Sequence, residues 1–163
     1  MQDEDQARAE SPPGGRPDVS RAVARLSSEY VLRALRLLSD IHGGDLLTAI
    51  IGQAIIAANT AHLVDGRKAE PPRFAGRAEL PPDELRRPVS VLALAESLGL
   101  PFETTRRHVN KLIAAGLCKR VKGGVILLAS AIDSPRNLEA TEQNLDYVMS
   151  FGRALRRLGL NFD

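Results

Sequence analysis

Residues 89–128 read VSVLALAESLGLPFETTRRHVNKLIAAGLCKRVKGGVILL, and the order of signals in this stretch decides the fold. Ser90 stands where a side-chain oxygen caps a helix, and Val91, Leu92, Ala95 and Leu98 follow it at helical spacing. Gly99-Leu100-Pro101 breaks the pattern with a tight turn, because glycine takes positive φ without a Cβ clash. A second helix follows and stops at Ala114-Ala115-Gly116, a glycine-terminated end. Cys118 to Val121 and Val125 to Leu128 are short β-prone runs joined around Lys122-Gly123-Gly124, the pattern of a hairpin.

At about 100° per residue, Thr105, Val109, Leu112, Ile113 and Gly116 fall on one side of the second helix. Glu103, Arg107, Asn110 and Ala114 fall opposite, flanked by Arg106 and Lys111. The first set packs inward; the second faces out and carries the groups that pair with base edges in a major groove. Arg suits guanine, Asn suits adenine, and Glu accepts from cytosine. Lys119, Arg120 and Lys122 on the hairpin are placed for phosphate contacts beside the groove, with His108 at the edge of the helix face as a further phosphate contact. This order predicts a winged helix-turn-helix over 85–130 that binds double-stranded DNA. Charge also faces outward on most solvated helices, so a winged helix used for protein contacts, without DNA binding, is the alternative.

The segment LGLPFETTRRHVNKLIAAGL resembles the DNA-binding part of bacterial winged-helix regulators. Its Glu103-Thr104-Thr105-Arg106-Arg107 is similar to the E-T-V-x-R pattern of the cyclic-AMP receptor protein family. The resemblance implies base reading by Glu103 and Arg107 and a phosphate contact by Thr104. Phe102 stands where that family carries a base-reading Arg, and is expected to anchor the helix start in the core. The likeness is confined to this module: nothing resembles the family's cyclic-nucleotide barrel, and no cofactor is implied.

Charge is uneven along the 163 residues. The formal net charge is only +2, yet 67–123 holds twelve Lys/Arg against six Asp/Glu, while 1–20 holds two against five. The basic excess therefore collects around the candidate DNA-binding module. Residues 1–17 are acidic and polar with no apolar run for export, and read as a disordered tail. The single Cys118 excludes an internal disulfide and fits a cytoplasmic location; it reads as a small apolar residue opening the wing, with redox sensing as the alternative.

Outside the module the chain reads as helical. Asp18 to Ile41 carries Val23, Leu26, Tyr30, Leu35 and Leu38 in a helical pattern, stopped by Gly43-Gly44. Asp45 can cap a second helix reaching Leu63, apolar almost all round. That run is about long enough for a membrane span, but Thr48, Gln53, Asn59, Thr60 and His62 interrupt it, so it reads as a buried helix. Ser134 can cap a last helix with Pro135 as its first residue, running to about Leu158 and offering Leu138, Leu145, Val148, Met149 and Leu155 for packing.

The expected fold is mainly α: a winged helix-turn-helix with a small β-hairpin wing, plus long N- and C-terminal helices forming a dimerisation unit. The helical hairpin 18–66 and the helix within 131–163 are expected to join two copies. Residues 67–84 read as a Pro/Arg-rich connector, with Pro82 to Arg86 as a short helix ahead of the helix-turn-helix. Arg86 and Arg87 lie just before Ser90, where they could hold a phosphate at the N-terminus of the helix that Ser90 opens, with Ser90 counted in the DNA-binding set; a solvated basic linker is the alternative. Two-fold symmetry implies a near-palindromic site with half-sites about 10 bp apart or a multiple of that. A small-molecule effector stays open, because the apolar helix is explained equally well by subunit packing.

Catalysis finds no support in the residues. His42, His62 and His108 are scattered without metal-ligand spacing, and the paired glycines lack the framing of nucleotide loops. RNA binding is disfavoured by the shortage of stacking aromatics: two Tyr, four Phe and no Trp.

Overall fold

The computed structural model describes residues 18–63, 74, 76 and 79–160. The expected acidic tail, most of the connector and the last three residues lie outside the described residues. Helix α1 spans Ser20–Ile41 and α2 spans Leu46–Thr60. A 3-10 turn, Asp83–Leu85, precedes α3 (Val91–Leu98) and α4 (Phe102–Ala114). Strands β1 (Cys118–Val121) and β2 (Gly124–Leu127) form an antiparallel hairpin. A one-turn helix α5 (Ala129–Ile132) and the long α6 (Pro135–Arg157) complete the chain.

The core lies where α2, α3, α4 and the hairpin meet. Ile51 and Ile55 of α2, Leu94 of α3, Val109 and Leu112 of α4, and Cys118, Val125 and Leu127 of the hairpin form one buried cluster. Sequence pattern groups α2 with α1 as part of a dimerising hairpin; in the structure α2 also packs into this core. Two adjoining apolar sides of α2 are covered by this chain's own α4 and β2, so Ile51 and Ile55 are closed off from any second copy.

Asn59, on the same helix, is fully buried and works as a polar staple. Its Nδ2 donates to the carbonyls of Arg87 (2.7 Å) and Val125 (3.2 Å), and its Oδ1 accepts from the Leu127 amide (2.9 Å). A buried amide persists in an apolar helix only when its groups are paired in this way.

The segment before α3 joins the hairpin as well. Val89 bridges Val125, with N–H···O contacts of 3.2 and 2.9 Å in the two directions. The bridge demands a glycine next door: a Cβ on Gly124 would sit 2.2 Å from the Val89 carbonyl oxygen.

Helices α1 and α6 pack on each other antiparallel. Tyr30 stacks on Phe151 with ring centroids 5.5 Å apart, the Arg33 guanidinium lies 5.9 Å over the Tyr147 ring, and Arg136 donates to the Asp40 carbonyl. Between α1 and α2 the chain bends by 100°, and no single described helix is long and apolar enough to cross a membrane.

Candidate nucleic-acid interface

Helix α4 is presented by the turn before it. Ser90 caps α3, its Oγ accepting from the Ala93 amide at 3.1 Å, and Gly99 ends α3 at φ +63° in the left-handed region. Thr105, Val109 and Leu112 of α4 are buried, as their spacing predicts, and Glu103, Arg106, Arg107 and Lys111 are exposed. Thr104, Asn110 and Ile113 lie between these extremes. Gly116 was placed inward by spacing but is exposed, because α4 stops at Ala114 before reaching it.

The outward residues are not equally available. Arg106 grips Glu103 through two hydrogen bonds of 2.8 and 2.5 Å, and this contact holds the Glu103 carboxyl below its ordinary pKa. Lys111 Nζ donates to Asp45 Oδ2 at 2.9 Å, tying α4 to the start of α2. Asp45 is also the α2 cap, accepting from the Thr48 amide at 3.1 Å. The Lys111 ammonium first, then the Thr48 amide, hold the Asp45 carboxyl well below the usual carboxylate range. Among the described residues, Thr104, Arg107 and Lys122 make no side-chain hydrogen bond or ion pair; Arg107 and Lys122 are exposed and Thr104 is half-buried.

The three cations assigned to the hairpin are divided by strand alternation. Arg120 turns toward α4 and donates to Asn110 Oδ1 at 2.7 Å. Lys119 points to the other face, where its Nζ donates to Asp83 Oδ2 at 2.9 Å and lowers the Asp83 pKa. Asp83 Oδ1 in turn accepts from the Ala129 amide at 2.9 Å. The three cations are therefore differently engaged: Lys119 is paired with Asp83 at the hairpin root, Arg120 with Asn110, and Lys122 at the tip has no partner among the described residues.

Three further placements are corrected. His108 is buried rather than at the edge of the exposed face; its Nδ1 lies 2.7 Å from Thr48 Oγ1, and burial holds its pKa below the ordinary histidine value. Phe102 does not anchor the helix start in the core; it is 48% exposed at the first position of α4. Arg86 is 4% exposed and donates to the Pro81 carbonyl at 3.0 Å, so only its neighbour Arg87 faces solvent as a phosphate contact would require.

Among the described residues, no group of three or more His, Cys, Asp or Glu could hold a metal ion. Cys118 opens β1 in the core, where burial pushes its thiol pKa up to about 11, so at neutral pH it is not a thiolate. Asn59, which spacing passed over as an interruption of an apolar helix, proves to be what holds the hairpin against α2. Comparison with known proteins finds no similar family model, curated protein or solved structure for this chain.

Proposed function

We propose that residues 45–128 form a winged helix-turn-helix that binds double-stranded DNA, with α4 in the major groove and the Lys122 turn on the phosphate backbone. The observation that carries this reading is the Arg120–Asn110 hydrogen bond, which makes the exposed side of α4 and the hairpin one continuous surface. On that surface Arg107, Thr104 and Lys122 are unengaged, as groups awaiting an anionic partner would be. Arg107 reads a base edge, Lys122 neutralises a phosphate, and Arg87 is a second backbone contact. Glu103 and Arg106 enter a groove as a pre-paired unit, and Asn110 is fixed by Arg120.

The protein acts as a homodimer through α1 and α6. Val31 and Leu32 on α1, and Leu145, Val148 and Met149 on α6, are large apolar side chains left exposed. A second copy of the same pair covers them and sets two α4 helices on successive grooves. The competing reading, a protein-interaction module, is favoured by Leu92 and Phe102, which are exposed apolar residues on α3 and α4.

Titration of binding to random duplex DNA against salt separates the two. DNA binding weakens steeply with salt as counterions are released; no binding at low salt leaves the interaction module. On a selected site, Arg107→Ala costs about 1–3 kcal/mol and relaxes specificity at one position. Lys122→Ala weakens binding to every duplex and shallows the salt slope. Identical behaviour of the two variants would overturn the division between base reading and phosphate contact.

A further inference from the structure

The α1–α6 pair does not close fully onto α2, and a cleft of about 530 Å³ remains between them. Its walls come from elements far apart in sequence: Leu37 and Ile41 of α1, Gly52 and Ile56 of α2, Leu112 of α4, Leu127 of β2 and Asn144 of α6. The volume falls within the roughly 300–1,000 Å³ of small-molecule sites.

The chemistry of the lining narrows the occupant. No Asp, Glu, Lys or Arg lines the cleft, and the residues with polar side chains there are Tyr30, His42, Gln53, Asn137, Thr141 and Asn144. Asn137 and Thr141 are occupied as donors, to the Ala131 and Asn137 carbonyls. Gln53 and Asn144 make no hydrogen bond among the described residues. A charged ligand would lose its hydration here without gaining a countercharge. A purely apolar ligand would strip water from the half-buried Asn144 amide without replacing its hydrogen bonds, while Gln53 stands exposed at the cleft edge.

We propose that this cleft binds an uncharged, mostly apolar small molecule with a hydrogen-bonding group that pairs with Asn144 and Gln53. The site rests on the cleft alone and stands whether or not α4 binds DNA. An occupant touches Leu112, on the inner side of α4, and both long helices at once.

The test uses the full chain with two probes of one ring system, uncharged 2-naphthol and anionic naphthalene-2-sulfonate, followed by fluorescence and thermal shift at pH 7. 2-Naphthol binds saturably at one site per chain and raises the melting temperature, and the sulfonate binds about tenfold more weakly or less. Thr141 is an exposed position on α6, so Thr141→Trp puts an indole into the cleft without disturbing the core and abolishes 2-naphthol binding. Asn144→Leu weakens 2-naphthol and spares folding, should the tryptophan variant melt early. Glu96→Gln, exposed on α3 and outside the lining, leaves both probes unchanged. Equal affinity for the two probes, or 2-naphthol binding that survives both cleft substitutions, overturns the proposal. So does binding that falls as chain concentration rises, because a second copy would then fill the space.

Discussion

In α2, Ala49, Ile51, Ile55 and Asn59 are completely buried, whereas α1, the longer helix, has no buried residue and α6 has only Ala140 and Leu155. Both regions are helical and both carry apolar stripes, yet one is enclosed by its own chain and the other is half covered. The trihelical core with its hairpin has the enclosed side chains and paired amides of an independently stable unit. The α1–α6 pair has one packed seam and an open apolar side, so its stability depends on what lies against that side. Amphipathicity alone did not distinguish the two, because what differs is the number of neighbouring elements.

The sharpest way to break this contrast is to cut equivalent side chains in both regions. Ile55→Ala, at a fully buried site, should cost about 2–5 kcal/mol in denaturant unfolding. Leu145→Ala, at a residue 58% exposed, should change the unfolding of the isolated chain by no more than about 0.5 kcal/mol. Equal losses would mean the pair is as fully enclosed as the core. Next in size is Asn59→Ala, which leaves the Leu127 amide and the Arg87 carbonyl unpaired and the Val125 carbonyl with only its Val89 partner; about 1–3 kcal/mol is expected for a buried group left unpaired. Loss of amide-exchange protection at Leu127 before that at Leu112 would place the weakness at the hairpin, and unchanged protection would remove the staple from the account.

The open side of the pair gives a third, concentration-dependent effect. Leu145→Ser with Val148→Ser should leave the melting temperature of the dilute chain nearly unchanged while shifting light-scattering mass from dimer to monomer at micromolar concentration. A wild-type chain that is already monomeric there would end the homodimer reading.

The smallest expected effect is one of pH, and it belongs to the core. Burial lowers the His108 pKa in the folded chain, with Asp45 opposing and Lys111 and Arg107 adding to the lowering. The unfolded chain therefore binds the proton more readily, so stability is full above the unfolded value of about 6.5 and falls as pH drops below it. Denaturation midpoints should decline between pH 7 and 5, and His108→Gln should flatten that decline. A midpoint rising on acidification would show that Asp45 outweighs burial.

Much of this architecture was legible from local spacing. Gly99, the Ser90 and Ser134 caps and the inward set Thr105, Val109 and Leu112 depend on neighbours within one helical turn, and the structure places them as expected. Residues whose partners lie far along the chain were not legible. Lys111 is paired with Asp45 and Lys119 with Asp83, 66 and 36 positions away. No periodicity announces such contacts, and each pairs a cation of the expected DNA-facing set with a carboxylate. His108 carried a usable signal, being three residues after Thr105 and four before Leu112, spacings that share a helix face. Asn59 did too: a lone amide on the apolar stripe of a buried helix implies buried partners. The exposure of Phe102 had no such signal, because a phenylalanine at a helix start satisfies either an inward or an outward geometry.

The way α2 ends has a consequence for the stretch that follows it. The chain departs after Leu63 and is fastened again by His62 Nε2 to the Leu85 carbonyl (2.9 Å) and by the Arg87 amide to the Asn59 carbonyl (3.1 Å). The end of α2 and the segment entering α3 are thus clasped directly to each other, through contacts made by His62, Asn59, Leu85 and Arg87 themselves. Because one of these contacts uses the Asn59 carbonyl and the Asn59 side chain binds the hairpin, the same turn of α2 fixes both ends of the helix-turn-helix unit.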